Sequence, residues 1–573
     1  MQMKVSLLRA QILSYHKCIT KLSGSYASQH VAYRPISPPG SETAISRIKS
    51  WIQDCSTNHT ECMLALSGTL LDYVPMLPTR VLDVQNYPFS LRLIISNSKK
   101  ANYVALSHCW GGKLQLRTTK ETLARHQKHI FCEDLSETIR DAAWVTKALD
   151  ISYLWVDCLC IIQEDEVDFD QESRRMASVY EHSFLTIAAT GARDGTGGLF
   201  IRSPKESYVE VPCDPEDSTL GYMYLGPQKE PEETIFGGPL NKRGWVLQEN
   251  IFARRTVHFA SNQVYWECHE TFMGEDNTSV TSAADMVFPN RALLSYVLDG
   301  FRGVRRSANS REINDMNKFV DVYSIWTQLV RYYSTRELTN LNDKLPAIFS
   351  LSLELERILG WPFKFHEGVL FGPPYVELQG LLWRAQQGAS LQRPAQRRAP
   401  SWSWASLDGA IDFIDMIYEN RHMYWFVDLW HPCDKDLKVL GVRAHRPTKT
   451  TSCQALLLEG TALECFATKG SHYGPGGQHG NNQLARVYNK QGECIEGELH
   501  YDVTSDQPDR VWLVPVFTRW RSKDAASPVY YCLMVKEAVG HPVKGRVFER
   551  VGVGMVLDVK WFCSCERGFL ALV

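Results

Sequence analysis

The pattern of apolar and polar positions predicts alternating strands and helices in the first half of the chain. Short apolar runs at Tyr103–Ser107, Tyr153–Cys158 and Phe184–Thr190 are separated by two segments of helical period, Ser136–Leu149 and Phe169–Glu181. Such alternation is typical of a parallel sheet covered by helices. We therefore predict an α/β fold with a mainly parallel sheet flanked by helices.

The rest of the chain follows other patterns. Apolar residues recur at helical spacing over Asn317–Tyr333, whereas the segments after Pro400, such as Val511–Phe517, are strand-like. The predicted organisation has four parts: a helical N-terminal extension (1–95), the α/β domain (96–270), a helical linker region (271–399) and a β-rich C-terminal region (400–573).

Polar and reactive side chains follow the first two predicted strands. In parallel sheets, ligands bind beyond the carboxyl ends of the strands, so these residues are candidates for a binding site. A Cys–His–Asp group could act in nucleophilic catalysis or bind zinc, but free cysteine is also common as a small buried apolar residue. The candidates are Ser107, His108, Trp110, Asp157 and Cys158.

Composition excludes several classes of protein. The 62 basic and 64 acidic residues give a net charge of −2, which favours neither nucleic acid nor an anionic membrane as a partner. No stretch approaches the roughly 18 apolar residues of a membrane span, and Arg9 interrupts the only apolar run near the N-terminus. Sixteen scattered cysteines do not form a dense disulfide framework. We expect a soluble, cytoplasmic protein.

Three potential metal ligands lie close together near the N-terminus. Cys55, His59 and Cys62 could bind a soft metal ion, but no fourth ligand is apparent near them in the sequence. Structural zinc sites almost always have four ligands, so the sequence predicts that the chain binds no metal here.

Five ordered segments resemble the heterokaryon incompatibility (HET) domain of fungi. They are Val104–Gly111, Thr138–Ala142, Tyr153–Gln163, Glu172–Met176 and Arg243–Glu249. The resemblance implies a function in nonself recognition and programmed cell death. It also implies activation by self-association or by a protein partner that the sequence does not identify.

The HET core in turn resembles, remotely, the Toll/interleukin-1 receptor (TIR) domain, which implies a TIR- or flavodoxin-like core. Many TIR domains carry a glutamate four residues after a tryptophan and cleave NAD at its nicotinamide–ribose bond; Trp245 and Glu249 match that spacing. The resemblance makes Glu249 the candidate catalytic residue and NAD a substrate, with no bound cofactor. Trp110 could stack on a ring of the ligand.

Two other interpretations remain open. Glu249 could serve only to hold the end of its helix, in which case the domain would be a non-catalytic signalling module. Alternatively, the chain could be a regulatory protein that keeps the fold without the killing activity.

Overall fold

The structure is a computed structural model. The residues that it describes are 17–21, 32–33, 38–65, 70–72, 74–111, 116–201, 209–212, 222–227, 232–276, 279–280, 315–359, 364–372, 378–414, 438–444, 454–467, 484–503, 507–520, 528–538, 546–557, 560–563 and 565–573.

The chain divides into two compact units, residues 1–299 and 300–573. The four-part division predicted from the sequence stays a prediction. In the first unit the helices are α1 (Glu42–Asn58), α2 (Lys120–Lys128), α3 (Glu137–Ala148), α4 (Asp157–Cys160), α5 (Glu166–Ser173), α6 (Met176–His182) and α7 (Val246–Phe252).

A ten-stranded sheet forms the centre of the first unit, in the order β10-β9-β8-β7-β6-β3-β5-β1-β2-β4. Its strands are β1 (Arg80–Asp83), β2 (Ser90–Ile95), β3 (Tyr103–Ser107), β4 (Ile130–Phe131), β5 (Tyr153–Trp155), β6 (Leu185–Ala188), β7 (Arg255–Phe259), β8 (Val264–Cys268), β9 (Phe272–Gly274) and β10 (Ser279–Val280). A separate sheet of four strands pairs 17–21, 32–33, 209–212 and 222–227.

The middle of the large sheet is parallel, as predicted. β3 pairs in parallel with β5 on one side and with β6 on the other, and β6 pairs in parallel with β7. All five residues of β3 are buried, as expected for a continuous apolar run covered on both faces.

Outside these four strands every pairing is antiparallel. The strands β1, β2 and β4 extend the sheet on one side, and β8, β9 and β10 extend it on the other. The sheet is therefore mixed, and the prediction of a mainly parallel sheet holds only for its centre.

The chain changes direction across the sheet at β3. From β3 it moves to β5 on one side, and it then crosses back to β6 and β7 on the other. Such a reversal leaves a crevice at the carboxyl ends of the strands on either side of it, where ligands bind in open α/β sheets. The carboxyl end of β3 is Ser107.

Two of the predicted elements differ in detail. The strand predicted over 153–158 ends at Trp155, and Asp157–Cys160 forms the short helix α4 instead. Cys158 and Cys160 are therefore two positions apart on a helix, about 200° around its axis, and do not share one face as alternate residues of a strand would. The helix predicted over 169–181 is broken into α5 and α6.

A buried ion pair holds the segment around α4. The guanidinium of Arg80, on β1, donates from Nη2 to both oxygens of Asp168 at 2.7 and 2.5 Å, and from Nε to the carbonyl of Cys160 at 2.6 Å. Asp168 also accepts the backbone N–H of Ile162 at 2.7 Å. Both charged side chains are largely buried, so each depends on the other for its charge balance.

In the second unit, the described residues form α-helices and a larger β-rich part. Its helices are α8 (Asp315–Ser334), α9 (Pro346–Leu359) and α10 (Lys560–Cys563). Its strands are β11 (Lys364–His366), β12 (Val369–Phe371), β13 (Trp383–Ala385), β14 (Ile411–Phe413), β15 (Lys438–Ala444), β16 (Gln454–Thr461), β17 (Leu463–Ala467), β18 (Leu484–Ala485), β19 (Val487–Tyr488), β20 (Gly497–Tyr501), β21 (Arg510–Trp520), β22 (Pro528–Glu537), β23 (Val547–Val556) and β24 (Arg567–Leu572).

A second ten-stranded sheet runs β15-β16-β24-β23-β22-β21-β17-β19, with β20 pairing β23 and β18 pairing β20. It confirms the predicted β-rich character of the C-terminal region. On β23, the fully buried Arg550 donates to the carbonyl of Trp383 in β13 and is neutralised by Asp502 through two hydrogen bonds of 2.8 and 2.9 Å.

Removing the negative partner of Arg80 should destabilise the first unit. We expect Asp168→Asn to lower the free energy of unfolding by about 3 kcal/mol, because a buried guanidinium is left without its counter-charge. The measurement is urea unfolding, with hydrogen exchange of residues 153–162 reporting the region around α4.

The matched control is Asp170→Asn, in the same helix. Asp170 forms an exposed pair with Arg174, so its loss should change stability little. Equal destabilisation by the two substitutions would show that burial of the Arg80–Asp168 pair does not matter.

Candidate functional site

The carboxyl end of β3 leads directly into the candidate site. Ser107, His108 and Cys109 are all buried there, and Trp110 is partly exposed. The following residue, Gly111, has a φ of 74°, and a Cβ at this position would lie 2.3 Å from the Cβ of Asp194. Glycine is thus required both by the backbone conformation and by the close approach of the loop that follows β6.

Asp157 connects the loops after β3 and β5. Its Oδ2 accepts the indole N–H of Trp110 at 2.8 Å, and its Oδ1 accepts the backbone N–H of Cys158 at 2.7 Å. The Nδ1 of His108 lies 3.8 Å from Oδ1. The carboxylate therefore fixes the partly exposed indole over the end of the sheet.

The donor atoms of His108, Asp157 and Cys158 lie within 4.8 Å of one another. This is the Cys–His–Asp grouping that the sequence indicated. However, burial raises the pKa of the Cys158 thiol well above its ordinary value, and the negative charge of Asp157 raises it further. Since the thiolate is the nucleophilic form, this cysteine is poorly suited to nucleophilic catalysis.

Glu249 projects from α7 and is buried, with only 6% of its surface exposed. Burial raises the pKa of its carboxyl group to about 7, and the charge of Asp157 acts in the same direction. The Ser107 hydroxyl, the Arg243 charge and the Tyr180 hydroxyl act in the opposite direction. These interactions place Glu249 beside the ends of β3 and β5.

Three buried polar groups here lack well-formed hydrogen bonds with any part of the chain that the structure describes. They are the Ser107 hydroxyl, one carboxylate oxygen of Glu249, Oε2, and the side-chain amide of Gln248. Ser107 is close enough to lower the pKa of Glu249, but the geometry is not that of a normal hydrogen bond. Buried polar groups without partners are costly, and a catalytic role or a bound water or ion is among the explanations for them.

Arg243 and Trp245 lie at the partly exposed margin of these buried groups. The guanidinium of Arg243 donates a hydrogen bond to the carbonyl of His108, which joins the segment before α7 to the loop after β3. The ring of Trp245 packs edge-on against Phe169 of α5, with centroids 6.2 Å apart. One cation, Arg243, therefore acts on the buried carboxylate of Glu249, and Trp245 immediately precedes the helix that carries it.

The structure brings together most of the residues selected from the sequence. Ser107, Asp157 and Glu249 interact electrostatically, and His108, Trp110 and Cys158 contact or neighbour Asp157. Trp245 immediately precedes α7.

Sequence reasoning missed two residues near Glu249. Arg243 begins the same recognised segment as Glu249, and Tyr180 lies in the segment of helical period Phe169–Glu181. The position of Arg243 within the segment was the available signal; for Tyr180 the helical period indicated burial and nothing more.

The comparisons with known proteins agree with this part of the fold. Residues 103–249, about a quarter of the 573 residues, match the family described as heterokaryon incompatibility protein (HET). The chain contains a HET domain. No curated protein and no solved structure matches the chain. The remote resemblance of the HET domain to TIR domains finds no support in these comparisons.

The strands of the HET domain have neighbours beyond the matched residues. β7 (Arg255–Phe259) pairs with β6, and β1 (Arg80–Asp83) pairs with β5, although both lie outside residues 103–249. Among the described helices, none has both the length and the apolar character needed to cross a membrane.

The N-terminal Cys55, His59 and Cys62 take no part in this site. The prediction that they bind no metal depended on the missing fourth ligand, and the structure supplies one, because Cys268 at the end of β8 joins the three. That reason for expecting no metal is therefore wrong.

The raised pKa of Glu249 predicts a pH-dependent effect of Glu249→Gln on stability. Below the ordinary value of 4.5 the carboxyl group is protonated in both the folded and the unfolded chain, so the substitution should have little effect. As the pH rises from 4.5 to about 7, the carboxyl group ionises in the unfolded chain, whereas burial opposes its ionisation in the folded one. Above pH 7 the variant should be more stable than the parent by about 3 kcal/mol.

Urea unfolding of parent and variant at matched pH values from 4 to 8 measures this difference. If Glu249 instead held α7 in place as an anion, the substitution would lower stability most at high pH, which is the opposite sign.

Proposed function

We propose that this chain acts in heterokaryon incompatibility, as a HET-domain protein of nonself recognition and programmed cell death, and that its HET domain hydrolyses NAD through Glu249. The observation that carries the catalytic part is the buried Glu249 carboxylate beside Ser107, Asp157 and Arg243 at the carboxyl end of β3. Activation would follow self-association or binding of a protein partner.

The proposed reaction is cleavage of the nicotinamide–ribose bond by water. The bond between the ribose C1′ and the pyridinium nitrogen breaks, and nicotinamide leaves with the bonding electron pair. A bond forms between C1′ and the oxygen of water, and a proton is released. Positive charge develops on the ribose, and a carboxylate at that position stabilises it as glycosidase carboxylates do.

The neighbours of Glu249 suit the other parts of such a substrate. The guanidinium of Arg243 is a partner for a phosphate of the dinucleotide, and the exposed part of the Trp110 ring offers a surface on which an aromatic base can stack. The Ser107 hydroxyl and the Gln248 amide are buried polar groups that ribose hydroxyls could satisfy.

The order of the parallel strands also supports a nucleotide ligand. The four parallel strands lie side by side in the spatial order β5, β3, β6, β7. If they are numbered along the chain, this order is 2-1-3-4, which is the arrangement of flavodoxin-like doubly wound sheets. In that arrangement the ligand lies where the order reverses, at the carboxyl ends of the first and third strands. Ser107 occupies this position at the end of β3.

Expression in a fungal host tests the proposal, with viability and cellular NAD followed together. Glu249→Gln should slow NAD loss by about 10²–10³-fold, because it removes the charge that faces the developing cation but keeps the size of the side chain. Glu275→Gln is the matched control, since Glu275 is also buried with a pKa raised by burial but lies after β9. It should leave NAD loss unchanged.

A well-folded Glu249→Gln protein that still consumes NAD would refute the catalytic role. Killing by the parent without NAD loss would instead show that the domain is a non-catalytic signalling module.

The pH profile of the purified protein provides a second test of the charge on Glu249. If the carboxylate is the active form, the rate of NAD hydrolysis should rise as the pH increases through about 7, the pKa of Glu249. A rate that falls over the same range would assign the residue a general-acid role instead.

A further inference from the structure

Four potential metal ligands meet at one point in the first unit, and none of them is among the residues that act on Glu249. They are the thiols of Cys55, Cys62 and Cys268 and the imidazole of His59, and their donor atoms all lie within 4.8 Å of one another. The Sγ of Cys268 is 3.3 Å from the Nδ1 of His59. All four residues are buried, so water cannot easily compete for the site.

We propose that Cys55, His59, Cys62 and Cys268 bind one structural Zn²⁺ ion. Three sulfur atoms and one imidazole nitrogen are a usual donor set for zinc. With bonds of about 2.3 Å to sulfur and 2.0 Å to nitrogen, the donors of a tetrahedral site lie about 3.5–3.8 Å apart, and the cluster is close to that size. Donors this close fit a single ion and leave no room for an iron–sulfur cluster.

Local structure explains how the N-terminal ligands converge. Cys55 lies in the last turn of α1, His59 is the residue that ends that helix, and Cys62 lies in the short 3-10 helix at Glu61–Met63. The helix is anchored by its buried face, where Trp51 contacts Trp266 of β8 with ring centroids 6.4 Å apart. This contact holds the end of α1 beside the strand that carries Cys268.

The surroundings of the cluster suit bound thiolates. The Nε of Arg255 donates to the Sγ of Cys55 at 3.2 Å, and the backbone N–H of Thr271 donates to the Sγ of Cys268 at 3.4 Å. Such N–H···S contacts are the second layer of interactions that orients and stabilises metal ligands.

The orientation of His59 also fits. Its Nδ1 points to the cluster, and its Nε2 lies 3.9 Å from a carboxylate oxygen of Asp54. A carboxylate behind the imidazole is a frequent partner of zinc-bound histidine, because it fixes the tautomer that leaves the other nitrogen free to bind the metal.

The charges balance as well. Three thiolates and one Zn²⁺ ion carry a net charge of −1, and the buried guanidinium of Arg255 supplies one positive charge in direct contact. Among the described residues no carboxylate forms an ion pair with Arg255, so thiolates bound to the ion would be its counter-charge. A site with four protein ligands is closed to substrate, which makes the ion structural and not catalytic.

The ion would join parts of the chain that are far apart in sequence. His59 and Cys268 are separated by 209 positions, and they lie on opposite sides of the residues that match the HET family. The ion would therefore fasten α1 to β8 around the HET domain. Because the free energy of metal binding is gained only by the folded chain, zinc would stabilise the first unit.

Metal analysis of the purified full-length protein, prepared under reducing conditions with zinc, tests this proposal. The parent should contain one zinc ion per chain, and Cys268→Ser should lose it. Cys132→Ser is the matched control, because both thiols are 8% exposed but Cys132 lies outside the cluster. It should keep the full zinc content.

Substitution of His59 separates metal binding from packing. His59→Cys offers a fourth thiolate and should retain zinc, whereas His59→Ala should lose most of it. In the parent, replacement of zinc by Co²⁺ should give a thiolate-to-metal charge-transfer band and the intense visible bands of tetrahedral cobalt. This spectrum decides the question even if the cysteine variants do not fold.

Three results would overturn the proposal: a reduced parent protein that binds no zinc, a Cys268→Ser protein that keeps all of it, and a disulfide between two of the three thiols. None of these results bears on the Glu249 proposal, because the two sites share no residue.

Discussion

The burial of β3 on both faces, with a parallel strand on each side, is the constraint on which the first unit depends. A strand in this position cannot carry polar side chains along its length, and Tyr103–Ser107 is buried throughout. Polar chemistry is possible only where the strand ends. The chain leaves β3 through Ser107 and His108, and the reversal of strand order opens the sheet at this same end.

Asp157 and Arg243 connect the chain segments that meet at this end of the sheet. Asp157 binds the indole of Trp110, and Arg243 binds the backbone of His108, so the loops after β3 and β5 and the segment before α7 hold one another. The arrangement leaves Glu249 buried with a raised pKa, at a cost in stability. A fold selected only for stability would gain by replacing this carboxylate, so its presence favours a functional explanation.

The strands β3, β5 and β6 were predictable from sequence, because they are short apolar runs separated by segments of helical period. The antiparallel pairing on either side was not, since β1, β2 and β8 are as long as the parallel strands and nothing local in the sequence specifies which strand each one pairs with. Asp157–Cys160 was mistaken for strand because four residues are too few to show a helical period.

The sequence predicts the part of the candidate site that lies directly after the predicted strands. Ser107 and Asp157 were found in this way and Glu249 from the resemblance to TIR domains, but the contribution of Arg243 depends on the folded position of the residues before α7. Cys268 shows the same limit more strongly, because a metal ligand separated from its partners by most of the domain has no local pattern at all.

The pairing of β7 with β6 and of β1 with β5 has a consequence for dividing the protein into fragments. A fragment that began at residue 103 and ended at residue 249 would lack both of these strands, and β5 and β6 would become open edges with unsatisfied backbone N–H and C=O groups. Such edges recruit strands from other molecules. The family match therefore marks the most recognisable part of a larger cooperative unit, and fusion proteins or domain exchanges designed at its borders would aggregate.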